Sequence, residues 1–271
     1  MSQPLLVAAI LGLVQGLTEF IPISSSGHLV IIRELMGWAD QGNFFDAVLH
    51  LATLAAILIY FWRDWLGMLN AIFKKSPARA HQADRRLIGL IIIATIPALI
   101  LGLWLEPWIG ANFRGILPVA LLMVVMSIIF WLVDHRSVLK HDLTKLNLAR
   151  ALGIGLAQAF AMLPGVSRSG STIVTGLYME LKREAAAKFS FLMAAPTIAL
   201  AGGYSLYRSI GEGAINSSDY LFWIVAFGVS LLSGWLAIRF LMNFLKTHSL
   251  DVFTYYLMIA GLALIGWHFL G

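Results

Sequence analysis

Residues 44–62, 87–105, 116–133, 189–207, 220–240 and 252–270 form six apolar runs, and at roughly 17 to 25 residues per helical crossing each can span a bilayer. Hydrocarbon offers no partner for a backbone N–H or C=O, so such runs fold as helices that satisfy their own backbone. Composition agrees: 59% of the 271 residues are hydrophobic, 12% are charged, and mean hydropathy is +0.83. The expected fold class is therefore all-α integral membrane, as a single membrane domain over residues 1–271. The connections between runs leave no room for a large soluble domain. With no cysteine in the chain, disulfides, thiolate metal sites and cysteine nucleophiles are excluded.

Two further apolar stretches, 3–36 and 150–177, are broken in their middles by Pro, Gly and Ser, and each half is short for a full crossing. They are expected to form re-entrant helix pairs. Non-helical backbone at that depth survives only where protein or a polar cavity surrounds it, so both breaks are candidate site linings. No Lys or Arg precedes Arg33, so the first stretch lacks the basic flank of a cleaved signal peptide and is expected in the mature chain.

Charge sets the orientation. If residues 63–86, 134–150, 178–188 and 239–251 face the cytoplasm, they hold 15 of the 19 Lys and Arg, as the positive-inside rule asks. Arg33, Arg114 and Arg208 fall to the opposite side and Arg168 to the interior. Basic residues placed in short loops orient the chain in lipid, so the pI near 9.6 gives no ground for nucleic-acid binding.

Laying residues 11–31 on 154–174 without a gap aligns Gly12 with Gly155, Leu13 with Leu156, Gln15 with Gln158, Ser24 with Ser167, Ser26 with Ser169 and Gly27 with Gly170. Three crossings follow each segment, and an odd number turns the second half upside down. The expectation is an inverted-topology internal repeat, with half one over about residues 3–133 and half two over about 150–271 and the site at the interface of the halves.

The two breaks carry different chemistry. Gln15 and Glu19 are one helical turn apart, so both face the descending tip, and their oxygens suit a hard divalent cation, Mg²⁺ or Ca²⁺. The alternative for this pair is a hydrogen bond within the helix. Ser24, Ser25, Ser26, Gly27 and His28 follow, offering hydroxyls, a flexible backbone and an imidazole able to exchange a proton near neutral pH. Ser25 or His28 can attack phosphorus, with His28 or Glu19 as the base for Ser25, or His28 can protonate a leaving oxygen. The plainer reading of Ser24 and Ser26 is a helix cap.

In the second break Arg168 is a guanidinium at membrane depth, which costs about 2.5 to 3.5 kcal/mol on insertion scales and so marks a functional site. It can grip phosphate oxygens in pairs, while the amides and hydroxyls of Ser167, Ser169, Gly170 and Thr172 complete an anion cradle. The loop is not a Walker motif, because no Gly-Lys-Ser/Thr follows it.

The segment from Gln15 to His28, Gln-Gly-Leu-Thr-Glu-Phe-Ile-Pro-Ile-Ser-Ser-Ser-Gly-His, and the segment Pro164 to Thr172, Pro-Gly-Val-Ser-Arg-Ser-Gly-Ser-Thr, resemble the two signature motifs of the undecaprenyl-diphosphate phosphatase family, associated with bacitracin resistance. Length, six crossings and the repeat also agree, so the resemblance covers the whole chain. It implies hydrolysis of undecaprenyl diphosphate to the monophosphate, recycling the carrier for cell-envelope polymers, with a divalent cation. It also implies a bacterial inner (plasma) membrane location and a pocket opening to the periplasmic face. Catalytic roles carry over to Glu19, Ser25, His28 and Arg168. This chain has Gln15 where the family accepts Glu or Gln, leaving one carboxylate in the motif. It also has His50 where Gln is expected, read as a packing or supporting residue.

The implied partners are the lipid diphosphate and the surrounding membrane lipids, and a homodimer is compatible with the sequence. Three other readings compete, of which a purely structural membrane protein is the weakest, since it would have little reason to keep the buried charges. A polyprenyl-phosphate flippase would use the same broken helices and Arg168, but would not require Glu19 and His28 poised for proton transfer. A lipid phosphatase of the phosphatidic-acid type shares the Ser-Gly-His and Ser-Arg look, but its Arg-Pro element is missing.

Overall fold

A computed structural model describes residues 3–73, 79–113, 115–212 and 220–270; Arg114, one of the three cations assigned to the outer side, lies outside them. The described residues form α1 (Gln3–Phe20), α2 (Ser25–Leu35), α3 (Gly42–Tyr60), α4 (Trp62–Phe73), α5 (Arg79–Asn112), α6 (Ile116–Arg136), α7 (Leu148–Phe160), α8 (Arg168–Tyr178), α9 (Arg183–Gly211), α10 (Tyr220–Phe244) and α11 (Asp251–Leu270). Among the described residues six stretches are long and apolar enough to cross a membrane: Gly42–Tyr60, His81–Gly102, Ile116–Arg136, Arg183–Gly211, Tyr220–Phe244 and Asp251–Leu270. They coincide with the six expected runs. The fold is all-α and membrane-integral.

Two stretches differ from expectation. Residues 63–73, read as loop, form most of α4, which exposes Trp62, Leu66, Leu69, Ile72 and Phe73 while Asp64 pairs with Lys188 of α9 at 2.6 Å. At 12 residues α4 is too short to cross a bilayer. In the second broken stretch α7 stops at Phe160, whereas a gapless match to α1 would carry it to residue 163. Pro164 cannot continue a helix and restricts the residue before it, and Gly165 takes φ +98°. Met162, which the gapless alignment sets opposite Glu19, therefore lies in the second break and is not its structural counterpart.

Lipid is as apolar as leucine, so helices in it associate by close packing and hydrogen bonds rather than by excluding water. A Cβ on Gly12 would sit 2.6 Å from the Ala226 carbonyl oxygen of α10, and one on Gly155 would sit 2.3 Å from that of Ala94 in α5. The glycines aligned in the sequence thus perform the same task, α1 against α10 and α7 against α5. In addition α3 packs on α9, and α6 on α11. Exchanging the halves in chain order maps the first two contacts onto each other and returns the last two to themselves. This arrangement is compatible with an inverted repeat.

α9 is the most enclosed crossing. Its Ala185, Ala186, Ala194 and Ala195 are buried, and Phe191 meets Phe20 edge-on with ring centroids 5.4 Å apart. At one end of the bundle the Asp134 carboxylate accepts from Arg183 Nε at 2.7 Å and from the Leu250 amide at 2.8 Å. That buried side chain ties α6, α9 and the start of α11 together.

Candidate active site

Glu19 occupies the last turn of α1, just before Pro22 ends the helix, and it is 6% exposed. A carboxylate in such a place requires partners. One oxygen, Oε1, pairs with Arg168 Nη2 at the first position of α8. The other accepts from Gln15 Nε2 at 3.0 Å and from Ser25 Oγ at 2.5 Å. Two helix breaks far apart in the sequence thus meet on one carboxylate, and Glu19, Ser25 and Arg168 come together as the sequence anticipated.

The serines preceding the two short helices are caps. Ser24 Oγ accepts from the Gly27 amide at 3.3 Å, and Ser167 Oγ accepts from the Gly170 amide at 3.1 Å. Ser24 also accepts from the Gly165 amide at 3.1 Å, so its hydroxyl joins the two breaks as well. It does so from φ +74°, a left-handed conformation that non-glycine residues adopt seldom. The starts of α2 and α8 therefore converge beside Arg168 and Glu19. Helix N-termini carry partial positive charge and amides without helical partners, so their convergence favours an anion.

Other residues read as substrate contacts take varied positions. Ser26 is exposed, whereas Gly27 and Gly170 are buried where α2 and α8 pass α6, against Val119 and the Phe130 ring respectively. Ser169 is buried, 3.2 Å from Ser167 Oγ and with its own hydroxyl directed at the Ile21 carbonyl at 3.4 Å. Thr172 faces α9, where its hydroxyl lies 2.6 Å from that of Ser190, and it also donates to the Arg168 carbonyl at 2.7 Å.

His28 does not meet Ser25. Its Nδ1 lies 2.7 Å from the Ser24 carbonyl oxygen and its Nε2 lies 2.6 Å from the Tyr256 hydroxyl of α11. Ser25 has Glu19 as its partner instead. His50 is half-buried on α3, bonded through Nδ1 to the Asp46 carbonyl at 2.7 Å, and lies within electrostatic range of Glu19.

Sequence reasoning missed Tyr256, Ser190 and the Arg33–Asp46 ion pair of 2.5 Å that joins the end of α2 to α3. A tyrosine near the start of a crossing reads as an interfacial anchor, and a serine in a crossing as a packing residue. Arg33 and Asp46 stood at opposite ends of a loop with no helical spacing to connect them.

Among the described residues no group of three or more His, Asp or Glu gathers to hold a metal. The donors at Gln15 and Glu19 nevertheless fit a hard cation: Gln15 Oε1 is a buried oxygen without a hydrogen-bond partner, one turn from the carboxylate. In chemical terms the site offers a hydroxyl bonded to a carboxylate, a guanidinium, two helix N-termini and an imidazole. Those are the parts of a phosphoryl-transfer centre.

Comparison with known proteins gives the same answer. The family model of the bacitracin resistance protein BacA matches residues 8–263. An undecaprenyl-diphosphatase of Caldicellulosiruptor bescii is 40% identical over 264 residues, covering 97% of both chains. Those of Aliivibrio salmonicida and Pelotomaculum thermopropionicum are each 38% identical, over 261 residues (96% and 97% covered) and 258 residues (95% and 94% covered). The chain belongs to the bacitracin resistance protein BacA family.

Proposed function

We propose that the protein hydrolyses undecaprenyl diphosphate to undecaprenyl phosphate and inorganic phosphate, with Ser25 as the nucleophile. The observation that carries this reading is the Ser25–Glu19–Arg168 chain, in which the serine hydroxyl donates to the carboxylate that the guanidinium holds. Ser25 Oγ attacks the terminal phosphorus and passes its proton to Glu19. The bond from that phosphorus to the bridging oxygen breaks, and undecaprenyl phosphate departs with His28 as proton donor. Water then attacks the phosphoserine, giving its proton to the now neutral His28, while the P–Oγ bond breaks and Glu19 returns its proton to the Ser25 oxygen, so that phosphate leaves and both groups are restored. Arg168 and the amides at the starts of α2 and α8 hold the phosphate oxygens as charge moves among them. The isoprenoid chain stays in the bilayer throughout.

Gln15 and Glu19 would hold a divalent cation, Mg²⁺ or Ca²⁺, which when bound supplies further positive charge to the diphosphate. The distribution of Lys and Arg supports an inner-membrane orientation with the site opening to the periplasmic face. A flippase would need an anion clamp and a groove, but would give the Ser25–Glu19 bond no task.

The test is an acid quench of purified protein during turnover of undecaprenyl diphosphate labelled in the terminal phosphate, followed by peptide mapping. Label on Ser25, absent in Ser25→Ala, is the expected result. Label on His28 would transfer the nucleophile's role there, and a quench without any protein-bound label during steady turnover would assign the attack to water.

A further inference from the structure

His28 is held between two oxygens of different capability. The Ser24 carbonyl, 2.7 Å from Nδ1, can only accept, so Nδ1 must carry a hydrogen. In the neutral ring Nε2 is then a bare lone pair, and the Tyr256 hydroxyl 2.6 Å away donates to it. The rings also stack with an offset, their centroids 5.6 Å apart and their planes 16° from parallel. The bond fixes the tautomer and the stack fixes the ring plane, so the nitrogen available for chemistry is Nε2.

We propose that Tyr256 is a positioning residue for His28. It holds the imidazole at the start of α2 through a contact from the last helix of the chain. This deepens the functional reading above and rests on it for His28 as the proton donor. A phenol suits the task because its oxygen can donate to a bare Nε2 and accept from a protonated one. The contact therefore survives on either side of the proton transfer, which a purely accepting or purely donating partner would not allow. Tyr256 is 43% exposed, so α11 presents the pair at the edge of the bundle, where a lipid headgroup can reach it from the bilayer.

The experiment compares wild type, Tyr256→Phe, the neighbouring control Tyr255→Phe and His28→Ala in detergent. Two quantities are read: the rate at which diethyl pyrocarbonate modifies His28, followed by mass spectrometry of its peptide, and kcat and KM for undecaprenyl diphosphate. Tyr256→Phe keeps the ring and removes the hydroxyl that occupies Nε2. His28 should be modified several-fold faster, and kcat should fall about tenfold with KM within about twofold. Tyr255→Phe should match wild type in both. Wild-type modification and wild-type kcat in Tyr256→Phe would overturn the proposal, as would faster modification with kcat unchanged while His28→Ala is inactive. If His28→Ala itself retains full turnover, the failure lies instead with the role given to His28, and the modification rates still report whether Tyr256 holds the ring.

Discussion

Glu19 receives three donors, and each donor states part of its role. Gln15 comes from the same helix and steadies the side chain, Ser25 presents an oxygen that can be activated, and Arg168 arrives from the other half of the chain. Removing a buried charge from water is seldom recovered by pairing alone, and in the proposed mechanism this ion pair serves catalysis rather than stability. Arg168→Lys keeps the charge but loses the planar fork that can hold Glu19 and a phosphate oxygen together. We expect kcat/KM to fall about 100-fold, with the melting temperature in detergent little changed. A kcat/KM within about twofold of wild type would show that a point charge suffices. Charge at membrane depth made Glu19 and Arg168 legible from the sequence. The serines were less so, because a helix cap and a phosphate cradle draw on the same residues. Ser24 and Ser167 act as caps and Ser25 faces the carboxylate; within Ser24-Ser25-Ser26 it was the resemblance, not residue type, that singled out Ser25.

Whole elements were more legible than their ends. A crossing length of apolar side chains defines α3, α5, α6, α9, α10 and α11, and each break holds a Pro and closes on a capping Ser. α4 was hidden because Arg63 and Asp64 gave a twelve-residue helix the composition of a loop. The aligned Gly12 and Gly155 both serve close helix packing, which in lipid requires residues without a side chain. Gly155→Leu would place atoms where the Ala94 carbonyl lies 2.3 Å from the first added carbon, forcing α7 away from α5 and costing about 1 to 3 kcal/mol. Gly89→Leu, with no neighbour within 4 Å, is the matched control. Thermal unfolding in detergent should separate the two, and equal melting temperatures would refute the packing role.

For the whole molecule, the absence of cysteine makes topology measurable one residue at a time. Asp40→Cys between α2 and α3 and Ser26→Cys at the break should react with an impermeant maleimide added to the outside of intact cells. Lys140→Cys between α6 and α7 should react after the membrane is opened. The reverse pattern would place the site on the cytoplasmic side and invert the orientation drawn from Lys and Arg. At this scale two helix breaks bring a serine, a carboxylate and a guanidinium together, the set proposed to act on one lipid diphosphate. The most direct measurement is release of inorganic phosphate from undecaprenyl diphosphate by purified protein in detergent with Mg²⁺ or Ca²⁺ present, wild type against Glu19→Gln. Steady release by the wild type and loss of about 1,000-fold or more in the variant is the expected result; undiminished release by Glu19→Gln would contradict the account.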